Sequence, residues 1–216
     1  ITLAFNFTGG ALLRWFRDNL AFEEKKKAEA TGADIYSIII REAKPSPSKL
    51  FVLPHFTATG TPYMDSKSCG AILGLSLNTN KAELIKAILE GADFEMKLNL
   101  ILLEKVGITV QEIRVAGGGA KSYQWLQLKA NIYDKKILSL HITEAACLGA
   151  AILAGLGSGV YSSIEEGIKA CVRIKREFYP QKKWAEMYNE KFKLYQTIYP
   201  TLQDLNHRIT ELSRHH

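Results

Sequence analysis

Three consecutive glycines, Gly117, Gly118 and Gly119, stand where one periodicity gives way to another. Before them Ile113 and Val115 alternate with polar neighbours, which predicts a strand over 111–116. After them Trp125, Leu128 and Ile132 recur at helical spacing. A strand that passes into a helix through backbone without Cβ atoms makes a corner. A flat or anionic ligand can approach the main chain there and meet the free N–H groups of the helix start. Two common phosphate loops are excluded. A Walker A loop needs glycine directly before its lysine, and Ala120 precedes Lys121. A dinucleotide fingerprint needs Gly or Ala at position 122, which is serine. Ser122 is placed to cap the helix. The residues by themselves leave a structural corner and a binding turn both open.

The rest of the chain reads as alternating helices and strands, an α/β class. Ile1 to Phe7 has the pattern of a strand already under way, and with no initiating Met the chain is expected to be a piece of a longer one. Leu12, Leu13, Phe16 and Leu20 predict a helix after Gly9-Gly10. Prolines make 43–48 a loop, and Leu50 to Leu53 a strand ending at Pro54. Asn80 with Glu83 signals the start of a long helix with one apolar face, through Leu84, Ile85, Ile88, Leu89, Ala92, Met96 and Leu103, ending before Gly107. Gly91 inside it costs about 1 kcal/mol against alanine, so close packing against another element is expected there. Lys136 to Leu140 is a short strand. Thr143 is placed to cap a helix from Glu144 to Gly155 whose small residues should pack very close to a neighbour. Ser163 and Glu166 form a capping-box pattern. Tyr188, Phe192, Tyr195 and Tyr199 form a core stripe on a terminal helix that Pro200 should kink or break.

Charge and cysteine content exclude more than they assign. The formal net charge is +6, much of it in Glu23 to Lys27 and Arg173 to Lys183, which read as solvated surfaces. Basic residues interleaved with exposed aromatics, as nucleic-acid binding wants, are not evident. Cys69, Cys147 and Cys171 lack metal-ligand spacing and read as buried thiols of a reducing compartment, hence a cytoplasmic protein. No signal peptide and no long apolar span appears, so no membrane partner is expected. His55, His141, His207, His215 and His216 show no metal spacing, and the closing pair reads equally as native or as a tag remnant.

Two further stretches have both a binding and a plain reading. Gly60 to Asp65 (GTPYMD) is a binding loop around Tyr63 and Asp65, or a turn with Asp65 as a cap. Glu144 in a first helical turn is favoured by the helix dipole without any ligand.

Taken in order, GGALLRWFRD (Gly9 to Asp18), GTPYMD with GAILGLSL (Gly70 to Leu77), ILEGADFEMK (Ile88 to Lys97), VAGGGAKSYQWLQLKAN (Val115 to Asn131) and EAACLGAAILAGLGSGVY (Glu144 to Tyr161) resemble the C-terminal domain of the FGGY carbohydrate kinases. The resemblance implies the actin-like, ribonuclease-H-like fold, in which two domains hold ATP between them. The whole of 1–216 would be that C-terminal domain, truncated on its N-terminal side, with 184–216 its helical extension. Carried over, Gly117, Gly118 and Gly119 would line adenine and ribose, Ala120 and Ser122 would complete the wall, and Gln127 would sit on the helix behind. The helix from Glu144 to Gly155 would connect at the domain interface, its small residues fitting a hinge.

The first and second phosphate loops, the sugar contacts and the catalytic aspartate of such kinases match nothing here, so this chain alone is expected to be inactive. The parent would phosphorylate a sugar or polyol with ATP and Mg²⁺. Thr59-Gly60-Thr61-Pro62 lacks the Glu-Arg pair common in the family loop, and Ala130-Asn131 replaces a common Ala-Asp. Rival readings are a non-catalytic actin-fold module for nucleotide or a partner, and a nucleic-acid binder suggested by the basic pI of about 9.1. A homodimer is a further possibility for a domain with an uncovered interface.

Overall fold

The computed structural model describes residues 3–213. Its elements in chain order are α1 (Gly9–Leu20), α2 (Phe22–Thr31), α3 (Ile35–Glu42), β1 (Phe51–Leu53), β2 (Ala71–Leu73), α4 (Lys81–Lys105), β3 (Glu112–Val115), a 3₁₀ turn (Gly118–Lys121), α5 (Tyr123–Tyr133), β4 (Lys136–Leu140), α6 (Ala145–Gly157), α7 (Ile164–Cys171), β5 (Ile174–Phe178) and α8 (Lys182–Ser213). Two small sheets form. β1 pairs antiparallel with β2; β4 lies between β3, parallel to it, and β5, antiparallel. The parallel β3–β4 pair is the crossover unit, with the 3₁₀ turn and α5 as its connection.

Helix α4 is the axis of the core. Asn80 Oδ1 accepts from the Glu83 amide at 3.0 Å and caps it as the sequence predicts. The sequence predicts one apolar face, but 16 of the 25 residues are buried, on more than one side, against α1, α3, β1, α5 and α8. Burial therefore extends to Glu90, Asp93, Glu95 and Lys97, each bonded to a neighbour. Gly91 explains itself: a Cβ there would lie 2.3 Å from the Val52 carbonyl oxygen, so glycine lets α4 lie directly on β1. Phe94 meets the rings of Tyr188, Phe192 and Tyr195 at 6.2, 5.7 and 5.1 Å, which puts the aromatic stripe of α8 in the core.

Several expectations are corrected. Residues 3–7 belong to no strand, Phe5 and Phe7 instead meeting edge to face at 5.3 Å; positions 1, 2, 215 and 216 lie outside the described residues. Pro200 does not break α8. Buried Ile198 and Tyr199 hold the helix just before it, and Asn206, donating to the Cys69 carbonyl at 3.2 Å, holds it beyond. Thr143 gives α6 no side-chain cap; Glu144 stands at the cap position, also without a side-chain bond. α6 packs on α7 closely, since a Cβ at Gly167 would meet Ile152 Cγ2 at 2.6 Å, but most of its small residues are exposed. Cys147 is exposed, and Cys69 and Cys171 are part-exposed, so none is a fully buried thiol. The capping box is half formed: the Glu166 amide donates to Ser163 Oγ at 3.1 Å, while the Glu166 carboxylate accepts from Ser162.

Candidate functional site

The glycine turn opens on a cavity of about 720 Å³ between α1, α3, α4 and α5. Gly117 adopts φ 79° and ψ −168°, a backbone region open essentially to glycine alone. Its amide donates to the Thr143 carbonyl at 2.7 Å, and its carbonyl accepts from the Ala120 amide at 3.0 Å. This folds 118–121 into the 3₁₀ turn. Gly118 and Gly119 then face the cavity: a Cβ at Gly118 would meet nothing within 4 Å, and one at Gly119 would rest on the Trp125 ring at 3.5 Å. Ser122 also lines the cavity and caps α5, its Oγ accepting from the Trp125 amide at 3.3 Å. Gly117 shapes the turn, and Ala120 is buried behind it; neither is among the lining residues. Gln127 lies on the opposite side of α5, donating to the Tyr179 carbonyl at 2.8 Å.

The floor of the cavity is a polar cluster centred on Asp93. The Trp125 indole donates to Oδ2 at 2.9 Å, the Tyr133 hydroxyl donates to Oδ1 at 2.9 Å, and the Lys129 ammonium pairs with Oδ1. The ammonium also lies 4.4 Å from the Trp125 ring centroid. Burial pushes the Asp93 carboxyl up, against the pull of Lys129, and pushes the Tyr133 phenol well up. The other lining carboxylate, Asp34, caps α3 by accepting from the Ser37 amide at 2.8 Å. Sequence reading missed Asp93, Lys129 and Tyr133. Their signal was available: an aspartate on the apolar side of a long helix, and a lysine and tyrosine one turn apart on the helix after the glycines.

The other candidates lie elsewhere. Asp65 fastens α8, accepting from Tyr199 and His207, each at 2.8 Å. Burial alone would raise its carboxyl, but the bonds from His207, the Lys67 amide and Tyr199 outweigh burial and lower it. Tyr63 packs on Tyr199 with ring centroids 4.0 Å apart. The GTPYMD stretch is thus a docking loop for α8. A Ser–His–acid arrangement exists at Ser68, His55 and Glu95, with 2.7 and 3.1 Å contacts. All three are buried, lie outside the lining of the cavity at the glycine turn, and join α8 through the Tyr195 hydroxyl, 2.6 Å from Glu95.

Residues 3–158 match the family profile described as FGGY family of carbohydrate kinases, C-terminal domain. The chain belongs to the FGGY family. It is 30% identical over 205 residues to xylulose kinase of Bacillus subtilis, covering 95% of this chain and 40% of that protein. It is 32% identical over 199 residues to autoinducer-2 kinase of Klebsiella pneumoniae, covering 90% and 37%. Among solved structures, ligand-bound xylulose kinase from Lactobacillus acidophilus superposes with a TM-score of 0.76 at 24% identity, over 92% of this chain and 39% of that one. Plasmodium falciparum glycerol kinase with ADP gives 0.68 at 24%, over 88% and 37%. The fold is therefore that of the actin-like kinases, in its C-terminal half, and this FGGY chain spans between 33% and 40% of the length of the curated relatives it matches. Among the described residues no helix is long and apolar enough to cross a membrane.

Proposed function

We propose that this chain supplies the nucleoside half of the ATP site in a cytoplasmic FGGY kinase that phosphorylates a sugar or polyol. The observation that carries the reading is the pair Gly118 and Gly119, presenting backbone without side chains to a cavity sized for a small organic ligand. Adenine and ribose would lie along Gly118 and Gly119, with Gly117 setting the turn, Ser122 at the helix start and Ala120 packing behind. ATP is the phosphoryl donor. This chain's contribution is to bind the nucleoside, exclude water from it, and hold the turn rigid through Asp93, Trp125 and Tyr133.

Magnesium does not fit these residues. Among the described residues no group of three His, Cys, Asp or Glu side chains could hold a metal. Asp93 has both oxygens engaged and Asp34 is a cap. The same engagement argues against either carboxylate as the base that takes the alcohol proton. A base held elsewhere in the full-length protein fits the first reading, and no base at all fits a second, a non-catalytic nucleotide-binding module of this fold. ATP-dependent phosphorylation of a sugar or polyol by the full-length protein decides between them.

Binding itself is tested by titrating this chain with ADP. Gly118→Leu places a side chain in open cavity at a position of ordinary φ. It should weaken ADP binding about tenfold or more with little change in stability. Unchanged affinity in that variant, or no binding by the unsubstituted chain, would sink the reading.

A further inference from the structure

A second cavity, of about 750 Å³, opens on the other side of α5. Trp125, Lys129 and Tyr133 face the glycine turn, whereas Tyr123, Gln124 and Asn131 face this second space. The end of α3, the first turns of α4, β5 and the start of α8 complete its walls.

Lys86 sets its chemistry. It lines the cavity from α4 and is 8% exposed. Among the described residues its ammonium makes no hydrogen bond and no ion pair; it lies 6.0 Å from the Tyr188 ring centroid. The carboxylates near enough to act on it already have partners, Glu90 in Lys191 and Asp93 in Lys129. A buried ammonium without a carboxylate is costly, and burial lowers the Lys86 pKa. An anion in the cavity offsets that cost directly.

The other lining groups select the kind of anion. Arg41 and Arg176 add positive charge, while Lys44, also in the lining, is paired with Glu83 at 3.5 Å. The lining carboxylate, Glu177, is held by Lys136 at 3.0 Å and by the Tyr179 hydroxyl. Gln124 and Gln181 bring side-chain amides free of hydrogen bonds among the described residues, and Trp184 brings a half-buried ring. Cations suit a phosphate, amides suit hydroxyl groups, and an indole face suits the C–H surface of a carbon chain. We infer that this cavity, built around Lys86, binds a small sugar or polyol phosphate at a site separate from the glycine turn. The inference does not depend on nucleotide binding at that turn.

Isothermal titration of the 216-residue chain with ribose 5-phosphate, ribose and inorganic phosphate tests it. Ribose 5-phosphate should bind at a single site, about tenfold tighter than inorganic phosphate, and ribose should show no binding. Lys86→Met keeps the apolar stem and removes the charge; it should weaken ribose 5-phosphate about tenfold or more. Arg41→Gln, exposed on α3, leaves the core untouched and should weaken it about threefold even if the Lys86 variant does not fold. Saturating ADP should leave the affinity unchanged, as should Gly118→Leu. The inference is overturned by no binding of ribose 5-phosphate, by wild-type affinity in Arg41→Gln, by competition from ADP, or by equally tight inorganic phosphate.

Discussion

The indole nitrogen of Trp125 donates to Asp93 Oδ2 at 2.9 Å, so the helix that leaves the glycine turn is tied to the buried axis of the domain. Asp93 also holds Tyr133 and Lys129, two and one turns further along α5. One carboxylate on α4 thereby fixes the orientation of the helix whose first turn borders the cavity at the glycine turn.

Removing that charge should be expensive. Asp93→Asn keeps the size but leaves the Lys129 ammonium, 14% exposed at the side chain, without its counter-ion. Loss of one member of a buried pair typically costs about 3–5 kcal/mol. A reduction of about 3 kcal/mol in urea unfolding is expected. A change below about 1 kcal/mol would mean that α5 is positioned by packing alone.

Gly91→Ala tests the contact between α4 and β1. The added methyl would sit 2.3 Å from the Val52 carbonyl oxygen, backbone that cannot swing aside. Helix propensity favours alanine by about 1 kcal/mol, whereas overpacking costs about 1–3 kcal/mol or more. Net destabilisation is expected in thermal or urea unfolding, and a stabilised variant would contradict the close approach.

The glycines of the turn should differ from one another. Gly117→Ala must hold a side chain at φ 79° and ψ −168°, at a cost of about 1–3 kcal/mol. Gly118→Ala meets open space at ordinary φ and should change stability by less than about 0.5 kcal/mol. Equal losses in the two variants, measured side by side, would argue against the backbone described here.

Lys97 gives a pH signature. Burial lowers its pKa from 10.5 to about 8, although its ammonium donates to the Ile132 carbonyl at 2.6 Å. Between pH 8 and 10.5 the unfolded chain holds the proton that the folded chain has released, so the Lys97 contribution to stability rises with pH across that window. Below pH 8 both states are protonated and the contribution is flat. Buried Tyr133 and Tyr195, whose phenols are raised, act in the opposite sense above pH 10. The difference in unfolding free energy between wild type and Lys97→Met isolates the lysine. It should move in favour of wild type from pH 8 to 10. A pH-independent difference would refute the depressed pKa.

The legible part of the fold was set by short-range rules. The Asn80 cap, the Lys136–Leu140 strand, the Ser122 cap and the reason for Gly91 all follow from neighbours in sequence or from a single missing Cβ. The features that sequence reading missed depend on distant partners. Asp93 meets Trp125 and Tyr133 across 32 and 40 positions, and Asp65 meets Tyr199 and His207 across 134 and 142. The buried charges of α4 have no partners close in sequence; their partners are lysines and phenols of α5 and α8. Pro200 misled because the proline rule is local, while Asn206 and Tyr199 secure the helix on both sides of it. The glycine turn was identifiable as a corner from its residues, and the nucleoside role proposed for it rests on the order of the surrounding motifs.

The bond from the Gly117 amide to the Thr143 carbonyl has a mechanical side. Thr143 launches the α6–α7 hairpin, which is exposed over most of its first helix and rests chiefly on itself. The hairpin therefore stands off the core, with its base hydrogen-bonded to the glycine turn. Protection of the Gly117 amide from hydrogen exchange should therefore follow how firmly the base of this hairpin is held.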